Sequence, residues 1–541
     1  MADPGPETIR SSAHPAIRRP PFAPPLPAPR LRLLAPVVFV VAALLVSLLA
    51  TTAHSAGKTS VSILSGEPTT FDPAAQGDVG TAAVTSQIFE GLTALDPALV
   101  VRPALASSWD VADGGRTITF HLRGGLEFSD GSPLAAADVV RSWLRLIEPA
   151  SPSPLASLMD DVVGASAYRQ GQTRDRSTVG LEATGSDVVV RLVHPFGEFV
   201  SVVAGSSFAI VPSTGTLDGT VGSGGYVVSD RSSTEITLRA NDHYWAGAPA
   251  IETVHLLTTI GGRSPVDAFQ KGDLDYTPIS DYDASWIAYD PDLGPQLRSV
   301  PSLSLEYLGF DVRRAPFDDV RVRQAFALAV DWDRLVELAS TGSEIPATSM
   351  VPVGVPGRSD KDFGQSADPA RARELLSEAG FPGGKGFPDV VYLSGGTTVD
   401  EGILRQIHDN LGITLQYETM DFTSYFAKLA TDPPQIWSLG WTADYPGPND
   451  FLGILLGSGV SNNYGRWSSP AFDAAIADAG KATDPTAIRA AYDRAEQVVQ
   501  QEVPVIPISY GSGWALSRNG LLGANQNGLG ALRLAGLAWK Q

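Results

Sequence analysis

The chain contains no cysteine among its 541 residues. That absence excludes disulfides, thiolate metal sites, thiol nucleophiles and a lipid-carrying N-terminal cysteine. Positive charge is also scarce. Seven lysines bring Lys+Arg to 39, against 59 Asp+Glu, for a net charge of −20. A nucleic-acid binder needs a basic footprint for phosphates, and this composition does not supply one. Histidine is sparse: beyond residue 57 there are only His121, His194, His243, His255 and His408, none at a chelating spacing. There is no G-x-S-x-G elbow and no H-E-x-x-H, and Gly383-Gly384-Lys385-Gly386 lacks the Ser/Thr of a phosphate loop. The sequence therefore predicts no catalytic residues, no metal ligands and no cofactor.

Long apolar runs are nearly absent as well. One exists, the eighteen uncharged residues from Leu33 to Ala50. Its length is at the lower limit of a membrane span and above the usual core of a signal peptide. Ahead of it, residues 1–32 are Pro-rich and carry Arg10, Arg18, Arg19, Arg30 and Arg32 against Asp3 and Glu7. The positive-inside rule puts that end in the cytoplasm and exports everything after Lys58. Two outcomes stay open for 33–53. Cleavage near Thr51-Thr52-Ala53 or Ala53-His54-Ser55 would release the protein; retention would leave a single-span anchor, to which the long leading segment points.

The remainder has a globular composition, 43% hydrophobic and 18% charged. Short alternating strands are expected at Val61–Leu64, Thr117–Leu122, Val188–Leu192, Glu235–Leu238 and Ile251–Leu257, each bounded by Gly, Pro, Asp or Ser. Helices dominate the second half. One is capped by Asp318 or Asp319 and another by Asp331; a third has Asp368 as cap, Pro369 at its first position and Gly380 as terminator. Residues 485–501 form a further amphipathic helix that leads into the strand PVIPISY. The class is mixed α/β, β-rich first and helix-rich second.

A series of phrases then carries a resemblance. EPTTFDP, IFEGLTALDP, the long run from Val101 to Trp143, LRANDHYWAGAP, FQKGDLDY, APFDDVRVRQAFALAVD, DPARARELLSEAGF, GWTADYPGPNDFL and VPVIPISY follow one another in order. Together they resemble the extracellular solute-binding proteins of ABC importers, in the peptide and nickel branch called family 5. The resemblance implies a two-lobed periplasmic-binding-protein clamshell of type II with the extra subdomain of peptide binders. Lobe one would comprise 58–93, 219–309 and 509–541, with the inserted subdomain at 94–218; lobe two would be 310–508. It also implies capture of a peptide, delivery to permease subunits, and a monomer that catalyses nothing.

Taken as chemistry, Gly440-Trp441-Thr442-Ala443-Asp444 places a large aromatic and a carboxylate three residues apart in a loop bounded by Gly and Pro. A shielded carboxylate suits an ammonium group, and the indole adds apolar area and a cation–π face. The resemblance assigns Asp444 to the ligand's α-amino group and the backbone of Gly440–Thr442 to strand-like pairing with a peptide. It assigns Val79-Gly80-Thr81 to the opposite edge and Phe422 to a side-chain pocket. Relatives that bind oligopeptides tend to carry basic residues before the GW pair, where this chain has only Lys428. Trp437 and Leu439 in that stretch would suit a more apolar or modified ligand. Two rival classes remain open: a metal or metallophore binder on the same fold, and a membrane-tethered sensor.

Overall fold

The structure is a computed structural model that describes residues 58–541 apart from Thr341 and Ser343. The leader at 1–32 and the apolar segment at 33–53 lie outside the described residues. Among the described residues no helix is long and apolar enough to cross a membrane.

Most of the predicted elements are present, shifted by one or two residues. The principal strands and the helix that matter below are numbered in chain order. They are β1 (Ser60–Leu64), α1 (Val79–Ile88), β2 (Ala106–Ala112), β3 (Thr117–Leu122), β4 (Leu181–Thr184), β5 (Asp187–Arg191) and β6 (Tyr226–Arg231). They continue with β7 (Glu235–Ala240), β8 (Thr253–Leu257), β9 (Tyr276–Ile279), β10 (Leu297–Phe310), β11 (Val391–Ser394), β12 (Gln416–Thr419), β13 (Ile436–Thr442) and β14 (Val505–Ser517).

The large sheet runs in the order β12-β11-β13-β10-β14-β9-β1-β8-β7-β6, with the short strand Glu344–Pro346 added beside β14. Two long antiparallel strands, β10 and β14, join its halves. Their register is regular from Leu297↔Leu516 to Pro301↔Ser512, then slips before Leu305↔Tyr510. At the slip the Leu303 N–H donates instead to Gly528 O, and Leu303 O accepts from the Ala443 N–H. A bulge of this kind bends the strand and increases its twist.

Each half of the sheet is covered on both faces. Alternation along the strands sorts the side chains: Leu305, Tyr307, Trp437 and Leu439 point to one core, while Leu308, Phe310, Tyr392 and Ile436 point to another. On the other half, Val61, Ile63, Val254 and Leu256 fill a third core, and Phe269, Leu274 and Leu516 belong to a fourth. Strands buried on both faces must be apolar at nearly every position, as the stretch LGF at the end of β10 is.

Residues 92–210 hold their own core beneath the antiparallel sheet β2-β3-β5-β4. Trp143 is its centre, edge-on to Phe120, Phe199 and Phe208, with its indole N–H donated to Phe208 O at 2.8 Å. One residue from far along the chain joins this core: Tyr445, edge-on to Phe196.

The predicted caps hold. Asp319, rather than Asp318, accepts from the Arg321 N–H, Asp331 from the Arg334 N–H and Asp368 from the Arg371 N–H. Each such cap is worth about 1 kcal/mol. Gly380 follows the Asp368-capped helix at φ +101, a conformation that costs glycine nothing.

Candidate functional site

A cavity of about 360 Å³ opens between α1, the segment 201–209, the C-terminal loop 525–535 and the chain leaving β13 at Thr442–Tyr445. That volume falls in the range of small-ligand sites. Its walls are rich in Gly, Ala and Ser, so the space is left by small side chains.

Asp444 stands on the wall contributed by Thr442–Tyr445. Its side chain reaches solvent through the cavity, and no hydrogen bond to its carboxylate occurs among the described residues. The surrounding walls thin its hydration, which holds the carboxyl above its ordinary value. Behind it lies Asp450, fully buried. Asp450 Oδ2 accepts from the Trp441 indole N–H at 3.0 Å and from the Asp444 N–H at 3.2 Å. Asp450 Oδ1 has no partner among the described residues. Burial first, then the charge of Asp444, push the Asp450 carboxyl well above the usual range. The arrangement is a buried acid that holds the loop from behind while Asp444, in front of it, lines the cavity.

Thr442 also lines the cavity, whereas Trp441 and Gly440 do not. The Trp441 ring follows Trp437 and Leu439 on the core side of β13, and its N–H is taken by Asp450. Gly440 pairs with Glu306 of β10, and the space above it is open. Trp437 and Leu439 are buried, at 2% and 7% exposure, so the expectation that they meet a ligand is corrected. Alternation along β13 turns them inward, and the turn residues around them hide that pattern in the sequence. Lys428 is paired with Asp432 at 2.9 Å. Phe422 begins the helix Phe422–Thr431, and its side chain lies outside what the structure describes.

The opposite wall is helical. Val79-Gly80-Thr81, expected at the opposite edge, is the first turn of α1, and of the three only Val79 lines the cavity. Asp78 caps that helix: its carboxylate accepts from the Thr81 N–H at 2.8 Å and the Thr81 hydroxyl at 2.7 Å. The cap overrides the strand tendency of Val79 by satisfying an otherwise orphan donor. Val79 faces the cavity and is exposed, while Thr81 is buried and bonds back to Asp78 and Thr69.

Glu90, Tyr244 and Arg533 were not singled out from the sequence. Arg533 Nη2 donates to Glu90 Oε1 at 2.6 Å and to the Tyr244 hydroxyl at 2.8 Å; Glu90 Oε2 takes the Trp245 indole N–H at 3.2 Å. The phrases FEGL and HYW hinted at Glu90 and Trp245. Nothing local marks Arg533, whose partner lies 443 residues away.

The histidines among the described residues pair with carboxylates or a hydroxyl: His121 with Asp110 and Asp187, His194 with Asp161, His243 with Glu127, His255 with Glu235 and His408 with Thr414.

Comparison with known proteins adds to this geometry. The sequence model of the family described as "Bacterial extracellular solute-binding proteins, family 5 Middle" matches residues 100–463. The probable deoxycholate-binding periplasmic protein YgiS of Escherichia coli K12 is 30% identical over 468 residues, 82% of this chain and 86% of that protein. The periplasmic oligopeptide-binding protein OppA of Salmonella typhimurium is 28% identical over 476 residues, 82% of this chain and 85% of that one. Among solved structures, the unliganded open form of the murein tripeptide-binding protein MppA superposes with a TM-score of 0.80 at 25% identity, covering 90% of this chain and 98% of that one. The architecture is the two-lobed α/β clamshell that the motifs implied.

Proposed function

The chain belongs to the bacterial extracellular solute-binding proteins of family 5, and from that premise we propose that it captures peptides outside the cytoplasmic membrane and delivers them to the permease subunits of an ABC importer. The observation that carries the reading is the Asp444 carboxylate, unpartnered and turned into a cavity of ligand size. An ammonium group is the natural partner for such a carboxylate, and every free peptide begins with one. No chemistry is catalysed; the work is capture, closure and docking. The lobes are 58–93 with 219–309 and 509–541, then 310–508, and the inserted subdomain is 94–218. The register slip near Pro301–Leu305 supports a hinge in the two crossing strands. Ligand favours the closed form by binding it more tightly than the open one.

The segment 33–53 tethers the mature protein, a monomer, to the outer face of the membrane. N-terminal sequencing of the cell-associated protein tests this, because cleavage after residues 51–55 would remove the tether.

A non-peptide solute is the second reading, favoured by the name of the relative at 30% identity. Native mass spectrometry of the chain purified from its own host separates the two. A ladder of short peptide masses released on mild denaturation supports the first reading, and a single non-peptide mass replaces it with the second.

A further inference from the structure

Four titratable side chains of opposite sign meet around the cavity, and their balance narrows the ligand class. Asp78, Glu90 and Asp444 bring negative charge; the one basic side chain among the lining residues is Arg533. That guanidinium is already committed. It is bound to Glu90, which is only 8% exposed, and to Tyr244, so the pair contributes no net charge. Two carboxylates, one on each side of the space, have no basic side-chain partner among the described residues. Asp78 projects from the start of α1, kept ionised by the Thr81 N–H and hydroxyl that hold its carboxyl below the usual value. Asp444 projects from the end of β13, with no partner among the described residues.

We propose that this cavity selects net-cationic peptides, with the amino terminus on Asp444, a further positive group in the field of Asp78, and no side-chain counter-ion for the terminal carboxylate. The inference rests on the peptide reading above and deepens it. Like charges on facing walls repel more strongly as the walls approach and water leaves. A cation between them turns that repulsion into attraction, so a basic ligand has the greater differential affinity for the closed form. An acidic ligand adds a third negative charge to the same space. Amidation of the C-terminus removes a charge that finds no partner there.

The test is calorimetry on the full-length chain with four tetrapeptides. These are Ala-Lys-Ala-Lys, Ala-Glu-Ala-Glu, and tetra-alanine as free acid and as amide. The lysine peptide is expected to bind about tenfold or more tighter than the glutamate peptide. The amide of tetra-alanine should bind at least as tightly as the acid. Asp78→Asn provides the control for fold, since asparagine caps a helix as well as aspartate does. It should shrink the lysine-to-glutamate ratio by about threefold or more, with a thermal midpoint lowered by no more than a few degrees.

Equal or tighter binding of the glutamate peptide overturns the proposal, as does a free acid that binds about tenfold tighter than its amide. A ratio unchanged in Asp78→Asn overturns the part played by that wall. In each of these outcomes peptides still bind and the peptide reading stands. Binding of none of the four sinks the peptide reading, and the cation preference with it.

Discussion

The Tyr492 hydroxyl donates to Glu198 Oε1, tying the loop after β5 to the helix Pro485–Glu502 across 294 residues of chain. Glu198 Oε2 is buried without a partner, packed so closely on Gly447 that a Cβ there would meet it at 2.1 Å. Burial pushes this carboxyl up to about 7, with the Tyr492 hydroxyl and the Asn449 N–H pulling part of the way back. Tyr445 and Asp450 lie beside it, and no cation pairs with Glu198 among the described residues.

Stability should therefore depend on pH in a definite direction. Glu306 and Glu496 are also raised to about 7 by burial. Between the ordinary glutamate value and about 7 the folded chain holds protons that the unfolded chain has lost. Stability is then full at the acidic end of that window and declines as pH rises through 7. Asp218, lowered to about 2 by the Thr216 and Thr220 hydroxyls, acts oppositely, but only at pH below the ordinary aspartate range. The thermal midpoint is expected to be several degrees higher at about pH 5 than at about pH 8. Glu198→Gln should flatten part of that slope. A midpoint that climbs from pH 5 to 8 contradicts the assignment.

Asp444→Asn removes the charge while keeping the shape of the loop. Loss of about 1.5–3 kcal/mol in affinity is expected for peptides with a free amino terminus, measured by calorimetry. Peptides acetylated at that terminus should bind both proteins equally weakly. Unchanged affinity in the variant would take Asp444 out of the site.

Arg533→Gln leaves Glu90 buried without its cation, though the Trp245 indole N–H still reaches it. The guanidinium side chain is 43% exposed, which discounts the penalty of a fully buried pair. A cost of about 1–3 kcal/mol is expected in urea unfolding. Because the ion pair pins the C-terminal segment, hydrogen exchange should quicken over 525–535. A variant as stable as the parent would make the pair ornamental.

Gly309 in β10 lies under the Trp437 ring, where an added Cβ would stand 2.5 Å from ring carbon Cε2. The Trp437 indole N–H has no partner among the described residues, so the ring is held by packing alone. Gly309→Ala should destabilise by about 1–3 kcal/mol, and Trp437→Phe in the same chain should recover part of it. Additive losses in the double variant would show that the two positions do not share this space.

The parts of this molecule that could be read from the sequence are those set by neighbours in the chain. The caps at Asp331 and Asp368 and the alternation of β3 are local, and they are where the residues put them. Asp444 could be named because its loop carries a dense phrase, but its partner Asp450 and the loss of the Trp441 face to that partner could not. That Val79-Gly80-Thr81 opens a helix is not legible from its weak helix propensity; the Asp78 side chain, one residue earlier, outweighs it. The Glu90–Arg533 pair joins two ends of the chain, and no local signal announces such a meeting.

The final long strand, β14, pairs with β9 and β10 and carries the short strand 344–346 as well. Both halves of the large sheet thus lack a central strand until residues 505–517 have been made. Contacts of such wide sequence separation form slowly, because a long loop must close before any of them contributes. The large sheet should therefore stay open in the nascent chain until that strand is available. A polypeptide that cannot complete either half early is suited to being threaded across a membrane before it folds.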